Sequence, residues 1–359
     1  RCFDKSFRIK KYNNLIEALY VSKFFRKLAG ILVIDLVNTP DGIATKFSIF
    51  GFTFFVTWYC LYFFCTYKSY IEDQTILRNM YSTKMQRYGD DCERLISLVY
   101  VTLAMWKIPF SISGNIKLMR VVIRVDKALE NLGEKIDYNR DAYSASAISI
   151  GQLVVYLVRL FSIWLTLKHL DVPIPLERMY QVVFTDTLAL VVTAYYCYSL
   201  TVLKLRFRYA YKILEEINAH KSWEYKLFVR GKMVSNAQKA CSLQEKYLSD
   251  KIRSCAKIYG MLYEIINIVN DVFGLILVTT MLGCLIYIIL YIFYFMEATT
   301  GGLFHDLPKY IDFSIYVFWQ AIYAIGILYL IVYFCECVKL EVRTRIILIL
   351  YGNGLVAQR

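Results

Sequence analysis

Proline and histidine are scarce in this chain, with 5 and 3 among 359 residues. So few prolines leave long stretches in which a helix can run unbroken. The histidines, His169, His220 and His305, fall in segments read as loops, and none stands beside a second histidine or a cysteine at metal-ligand spacing. No glycine-rich loop that would cradle phosphates is found, and Gly301 and Gly302 read as a turn. No enzyme site emerges, and no metal or other cofactor is expected. The chain as given opens on Arg1 without a charged and then apolar stretch ending in a cleavage site, so it is read as lacking a signal peptide. Of ten cysteines only Cys92 falls in a loop assigned outside the cell, which argues against an extracellular disulfide framework within the chain.

What the chain has in abundance is apolar sequence, 58% of its residues, with aromatics at 16%. One soluble core could not hide that much, so the chain reads as an integral membrane protein. Phe47 to Tyr67 is 21 residues without a charge, Val272 to Met296 is 25, and Phe313 to Cys335 is 23. An uncharged run of 18 or more residues reads as a spanning helix. Three interrupted runs complete the set: Leu95 to Ile116, broken by Lys107 and Pro109; Ala142 to Leu167, containing Arg159; and Met179 to Leu203, containing Asp186. The expected fold is an all-α, polytopic membrane bundle of six spans. Its expected parts are an N-terminal arm (1–46), spans one to four (47–203), a helical linker with the extension of span five (204–271), spans five and six (272–335) and a tail (336–359).

Tyr247 to Met296 organises the rest. No proline interrupts it, and 50 residues at about 1.5 Å each reach roughly 75 Å, far more than the bilayer core of about 30 Å. In the part outside the membrane Leu248, Ile252, Cys255, Tyr259, Leu262, Ile266 and Val269 recur at helical spacing and predict a buried face. Lys117 to Tyr138 carries a similar stripe from Leu118 through Ile136, and Lys204 to Asn218 continues span four without a breaker. These extensions are expected to bundle beneath the membrane rather than lie on it. The arm segment FRKLAGILVI is too short to span and is expected to sit at the interface or pack on the protein.

A formal charge of +13 could point to nucleic acid, but its distribution gives a better account. The arm, the loops after spans two and four and the tail hold 32 Lys and Arg, against 8 in the other loops. Both termini are therefore expected in the cytoplasm, with no nucleic-acid partner. A G-protein-coupled receptor would need its N-terminus outside. A solute transporter would show repeated halves with broken spans, which are not found.

A charge within a span costs roughly 2.5 to 3.5 kcal/mol unless it finds a partner or water. Arg159 and Asp186 flank the short connection near Pro173 at similar distance, so they are expected to pair or to face one aqueous cavity, either fixing helix packing or serving a ligand. Lys107, near the cytoplasmic end of its span, is expected to snorkel. The outer halves of the spans carry Tyr100, Trp164, Gln181, Thr185, Tyr287, Tyr291, Tyr294, Tyr316, Trp319, Gln320 and Tyr323. These either form aromatic belts or line an outward-facing pocket for a small polar molecule.

Four stretches give these features a family likeness. LKLRFRYAYKILEEIN (203–218) runs span four into a basic helix, and IYGMLYEIINIVNDVFG (258–274) fits the pattern Y-x-x-L-x-x-x-x-N-x-x-F-G. YFCECVKLEVRTRIILIL ends span six in a Cys-bearing basic stretch followed by a Thr, and FRKLAGILVI is the fourth. In these the chain resembles the insect gustatory receptors, relatives of the odorant receptors that form ligand-gated cation channels. The resemblance implies a homo- or hetero-tetramer with related subunits in the plasma membrane. It implies a cytoplasmic anchor bundle, contact with membrane lipid, and a pocket for a tastant such as a sugar or a bitter compound. It also implies a seventh, pore-lining helix opened by a TY-containing motif. The sequence as given ends at YGNGLVAQR, short of that helix, and is read as a fragment or truncated isoform, not expected to form a complete pore by itself; an assembly modifier is a further reading.

Overall fold

The computed structural model describes residues 12–39, 42–76, 84–170, 173–229, 236–300 and 307–352. The start of the arm, the Gly301 and Gly302 turn, His305 and the end of the tail lie outside the described residues. Two short helices, α1 (Leu15–Ala18) and α2 (Tyr20–Leu28), lead into a hairpin of β1 (Ile34–Thr39) and β2 (Gly42–Phe47). Seven helices follow: α3 (Ile49–Ile71), α4 (Lys84–Phe110), α5 (Ile112–Asn131), α6 (Tyr138–His169), α7 (Leu176–Val229), α8 (Asn236–Thr300) and α9 (Leu307–Gly352). The fold is a helical membrane bundle, and the antiparallel hairpin, pairing Ile34 with Phe47 through Thr39 with Gly42, is the one departure from an all-α chain among the described residues.

Five helices are long and apolar enough to cross a membrane: α3, α6, α7, α8 and α9. A sixth crossing is counted only when α4 and α5 are taken together as one bent span, and the expected span Leu95 to Ile116 is not one helix. The chain breaks at Ser111, and Gln86–Phe110 and Ser113–Asn131 meet at a 55° bend. Pro109, which has no N–H for the last turn of α4, accounts for the break. His169 closes α6 and His220 falls within α7, so neither is in a loop.

At the centre stands α7. In its most apolar stretch 83% is buried, against 17% to 39% in the other four spanning helices. The organising stretch is a single 65-residue helix, α8, roughly 98 Å long. Its inner buried face is rotated from the expected one: Leu248, Cys255, Leu262 and Val269 are buried as expected, joined by Ile258, Ile265 and Ile268, whereas Ile252 is exposed and Tyr259 and Ile266 are half-buried. Helical spacing allows either set, and contact with α5 and α7 selects between them. The stripe on α5 is buried from Leu118 to Leu129, and Gly133, at φ +95°, ends that helix.

Two features lock one end of the bundle, where Leu15 of α1 lies beside Arg206 of α7. The arm packs on the protein: Leu19, Ile31 and Val33 are buried, Trp58 Nε1 donates to the Leu28 carbonyl at 2.8 Å, and Ser48 N donates to Val33 O at 2.9 Å. The chain turns out of α2 at Gly30, at φ +74°, and runs so close to α3 that a Cβ on Gly51 would lie 2.1 Å from the Leu32 carbonyl oxygen. Near the α5–α6 connection, the guanidinium of Arg206 on α7 meets Asp126 on α5 at 3.0 and 3.1 Å and Asp141 on α6 at 2.6 Å. All three side chains are 1% to 2% exposed.

Two outcomes are expected from this geometry. Gly51→Ala lowers stability by about 1–3 kcal/mol through overpacking, read as a fall in the melting temperature of the detergent-solubilised protein. Gly326→Ala, where a Cβ meets open space, does not. Asp126→Ala costs about 3–5 kcal/mol because it strands part of a buried charge. Replacing Arg206, Asp126 and Asp141 together by Met, Leu and Leu recovers most of that loss in the same assay.

Candidate functional site

Helical spacing brings a set of polar side chains onto one interior cavity near the end of the bundle where α3 leaves and α7 begins. Glu93, Ser97 and Tyr100 repeat at four and three residues on α4; Arg178, Val182, Thr185, Asp186 and Ala189 do so on α7. Thr280, Cys284, Tyr287 and Tyr291 come from α8, Tyr316, Gln320 and Tyr323 from α9, and Arg159 from α6. The space among them is about 80 Å³. Ile76, following α3, closes one side.

Two ion pairs frame the cavity. Arg159 Nη1 lies 2.7 Å from Asp186 Oδ2, and its guanidinium stacks 3.8 Å over the Tyr323 ring. Arg159 also donates to Gln320 Oε1, while Tyr323 OH donates to the Asp186 carbonyl at 3.2 Å. On the other side Arg178 meets Glu93 at 3.2 Å and donates to Gln181 Oε1 at 2.7 Å. Ser97 and Tyr287 share a hydrogen bond of 3.0 Å between their hydroxyls. Arg159 Nε and Gln181 Nε2 are buried without a partner among the described residues. The site therefore offers aromatic faces, hydroxyls and an amide between two ion pairs, in a recess set among five helices.

Outside the cavity a second layer fixes the connection that carries Ile76. Lys68 on α3 and Gln74 both donate to Glu177, the latter at 2.9 Å, and Arg94 donates to the Gln74 carbonyl. These contacts tie the mouth of the bundle to the first turn of α7.

The structure brings Tyr100, Arg159, Asp186, Tyr287, Tyr291, Gln320 and Tyr323 to this cavity, together with Thr185 and Tyr316. It does not bring Trp164, which is 45% exposed with the Lys168 ammonium 5.4 Å above its ring, as suits a side chain at the membrane boundary. Trp319 is half-buried one position away from Gln320 and points elsewhere on α9. Gln181 and Tyr294 are fully buried, but Gln181 is turned to Arg178, and Tyr294 fills the space that Gly89 leaves on α4. Sequence reasoning missed Glu93 and Arg178 because both were assigned to loops. The spacing of Glu93 to Ser97 and Tyr100, and of Arg178 to Asp186 two turns on, is the signal that would have found them.

The chain matches the family model described as 7tm chemosensory receptor over residues 29–348. No curated protein matches it. The match takes in every spanning helix and every residue of the cavity, and the chain belongs to the 7tm chemosensory receptor family.

Proposed function

We propose that this chain is a gustatory receptor subunit, part of a ligand-gated cation channel, and that its cavity takes a small tastant, a sugar or a bitter compound. The observation that carries the reading is the convergence of aromatic rings, hydroxyls, an amide and two ion pairs from five helices on one recess. With the N-terminal arm and the far end of α9 on the cytoplasmic side of the plasma membrane, as the basic residues imply, that space faces outward. Exposed apolar residues on α9, from Tyr329 through Val332 and Tyr333 to Leu340, fit assembly with related subunits into a homo- or hetero-tetramer.

At about 80 Å³ the cavity is smaller than the several hundred Å³ usual for ligand sites. A sugar-sized molecule enters only as the helices part. A ligand that binds the parted form better than the closed one then shifts the population towards it, in proportion to that difference in affinity. Because α8 and α9 run on as single helices, a displacement beside Tyr287 or Gln320 is carried to their far ends.

Titration of the purified chain with a panel of sugars and bitter compounds, read as a rise in melting temperature, tests the site. Tyr287→Phe, which removes a hydroxyl from the cavity, is expected to weaken binding about tenfold, and Trp164→Ala to leave it unchanged. A ligand indifferent to Tyr287→Phe and lost in Trp164→Ala would place the site elsewhere. Whole-cell cation current under the same compounds tests the channel role separately: binding without current in cells that display the chain counts against self-sufficient conduction.

A further inference from the structure

Arg26 on α2 is buried with no acid paired to it among the described residues. It is 5% exposed, its guanidinium lies 3.8 Å over the Tyr195 ring of α7, and its Nε has no partner among the described residues. A second cation stands beside it. Burial, with the charge of Arg26, pushes the Lys23 ammonium down to about 8. Asp35, the acid that acts on Lys23, is engaged by Lys27 at 2.7 Å. Lys23 and Arg26 thus bring two positive charges together with no carboxylate paired to either among the described residues, a setting that favours an anion.

Two spaces meet at Arg26. One, about 40 Å³, is bordered by Lys23, Asn115 and Tyr195. The other is an apolar groove of about 430 Å³ between α2, α3, α6 and α7, walled by Trp58, Leu157 and Phe184. Its α7 wall runs from Tyr180 to Ala194, which is roughly 21 Å, longer than one leaflet's share of a hydrocarbon core about 30 Å thick. The rim faces the bilayer, since Leu28 is 39% and Leu157 54% exposed. No carboxylate borders either space among the described residues.

We infer that this groove binds an anionic phospholipid, its acyl chain lying along α7 and its phosphate paired with Arg26 and Lys23. The length and apolar walls of the groove favour a lipid over free phosphate. The two cations favour a headgroup of net negative charge over one that carries its own ammonium. The inference is independent of the ligand cavity, which lies on the other side of α7.

Native mass spectrometry of the purified chain, titrated with phosphatidylglycerol and phosphatidylcholine, reads the preference directly. About tenfold tighter binding of phosphatidylglycerol is expected. Arg26→Gln should bring the two lipids within about twofold of each other. Leu157→Trp, which fills the groove and leaves the cations in place, should weaken both lipids. Inorganic phosphate as a third probe should not displace the lipid. Equal affinity for the two lipids in the unaltered chain, an undiminished preference in Arg26→Gln, or unchanged binding in Leu157→Trp would each overturn the assignment. Full displacement by inorganic phosphate would make the site one for the free anion. Should Arg26→Gln fail to fold, Leu157→Trp decides alone.

Discussion

A guanidinium buried among apolar helices keeps its charge, and so it must be met by a carboxylate or pay a desolvation cost of several kcal/mol. That constraint fixes α7. Arg178 finds Glu93 on α4, Asp186 finds Arg159 on α6, and Arg206 finds Asp126 on α5 and Asp141 on α6. From Arg178 to Arg206 is roughly 42 Å along the helix, close to the full thickness of a bilayer with its headgroups. The central helix is thus held at both faces of the membrane and once between them, by four pairs on three neighbours. Rotating it by one residue or sliding it by one turn would strand every one of these charges. Buried pairs of this kind add little net stability, but they set register, and here the register decides which side chains reach the cavity.

The same constraint explains how much of the fold was legible in the sequence. The runs freest of charge, such as Val272 to Met296, are easy to recognise because much of their surface faces lipid: Val278, Leu282 and Ile289 are 57% to 66% exposed. The central span was harder to recognise for the opposite reason. A helix enclosed by protein can carry Arg178, Gln181, Thr185, Asp186 and Arg206, since neighbours satisfy them, and those residues blur its apolar signal. Arg159 and Asp186 could be matched because a short connection sets the depth of each on its own helix. The partners Glu93 and Gln320 come from helices distant in sequence, and no local spacing links them to Arg159 or Arg178. The hairpin of Ile34 to Phe47 escaped notice because Asp35 and Lys46 interrupt its short strands, although the sequence NTPDG between them is a turn signal.

Aromatic residues divide by the same logic. A tyrosine in a lipid-facing belt needs only its hydroxyl near the headgroups, and Trp164, with Lys168 above it, shows that arrangement. Tyr287, Tyr316 and Tyr323 lie deeper and are enclosed, and their hydroxyls need partners inside the protein. Composition cannot separate the two groups; only the angular position of each residue relative to a charged neighbour does. Tyr323 stacks on Arg159 and bonds to the Asp186 carbonyl, so one ring reports the state of that whole pair.

A pair that fixes register without adding much net stability is also easy to exchange. Parting the helices around Arg159 and Asp186 loses a Coulombic gain nearly equal to the desolvation it offsets, provided that water or a polar ligand takes up the freed groups. The inner cluster has no such exit: Arg206 is 1% exposed, its two acids likewise closed off, and the surrounding helices are packed. On the proposed reading, this asymmetry puts the compliant end of the bundle at the ligand cavity and the rigid end at the cytoplasmic bundle. Long unbroken helices then act as levers with one held end. A small opening beside Gln320 or Tyr287 becomes a tilt of α8 and α9 about the clamp on α7, rather than a local rearrangement that dies out within one turn.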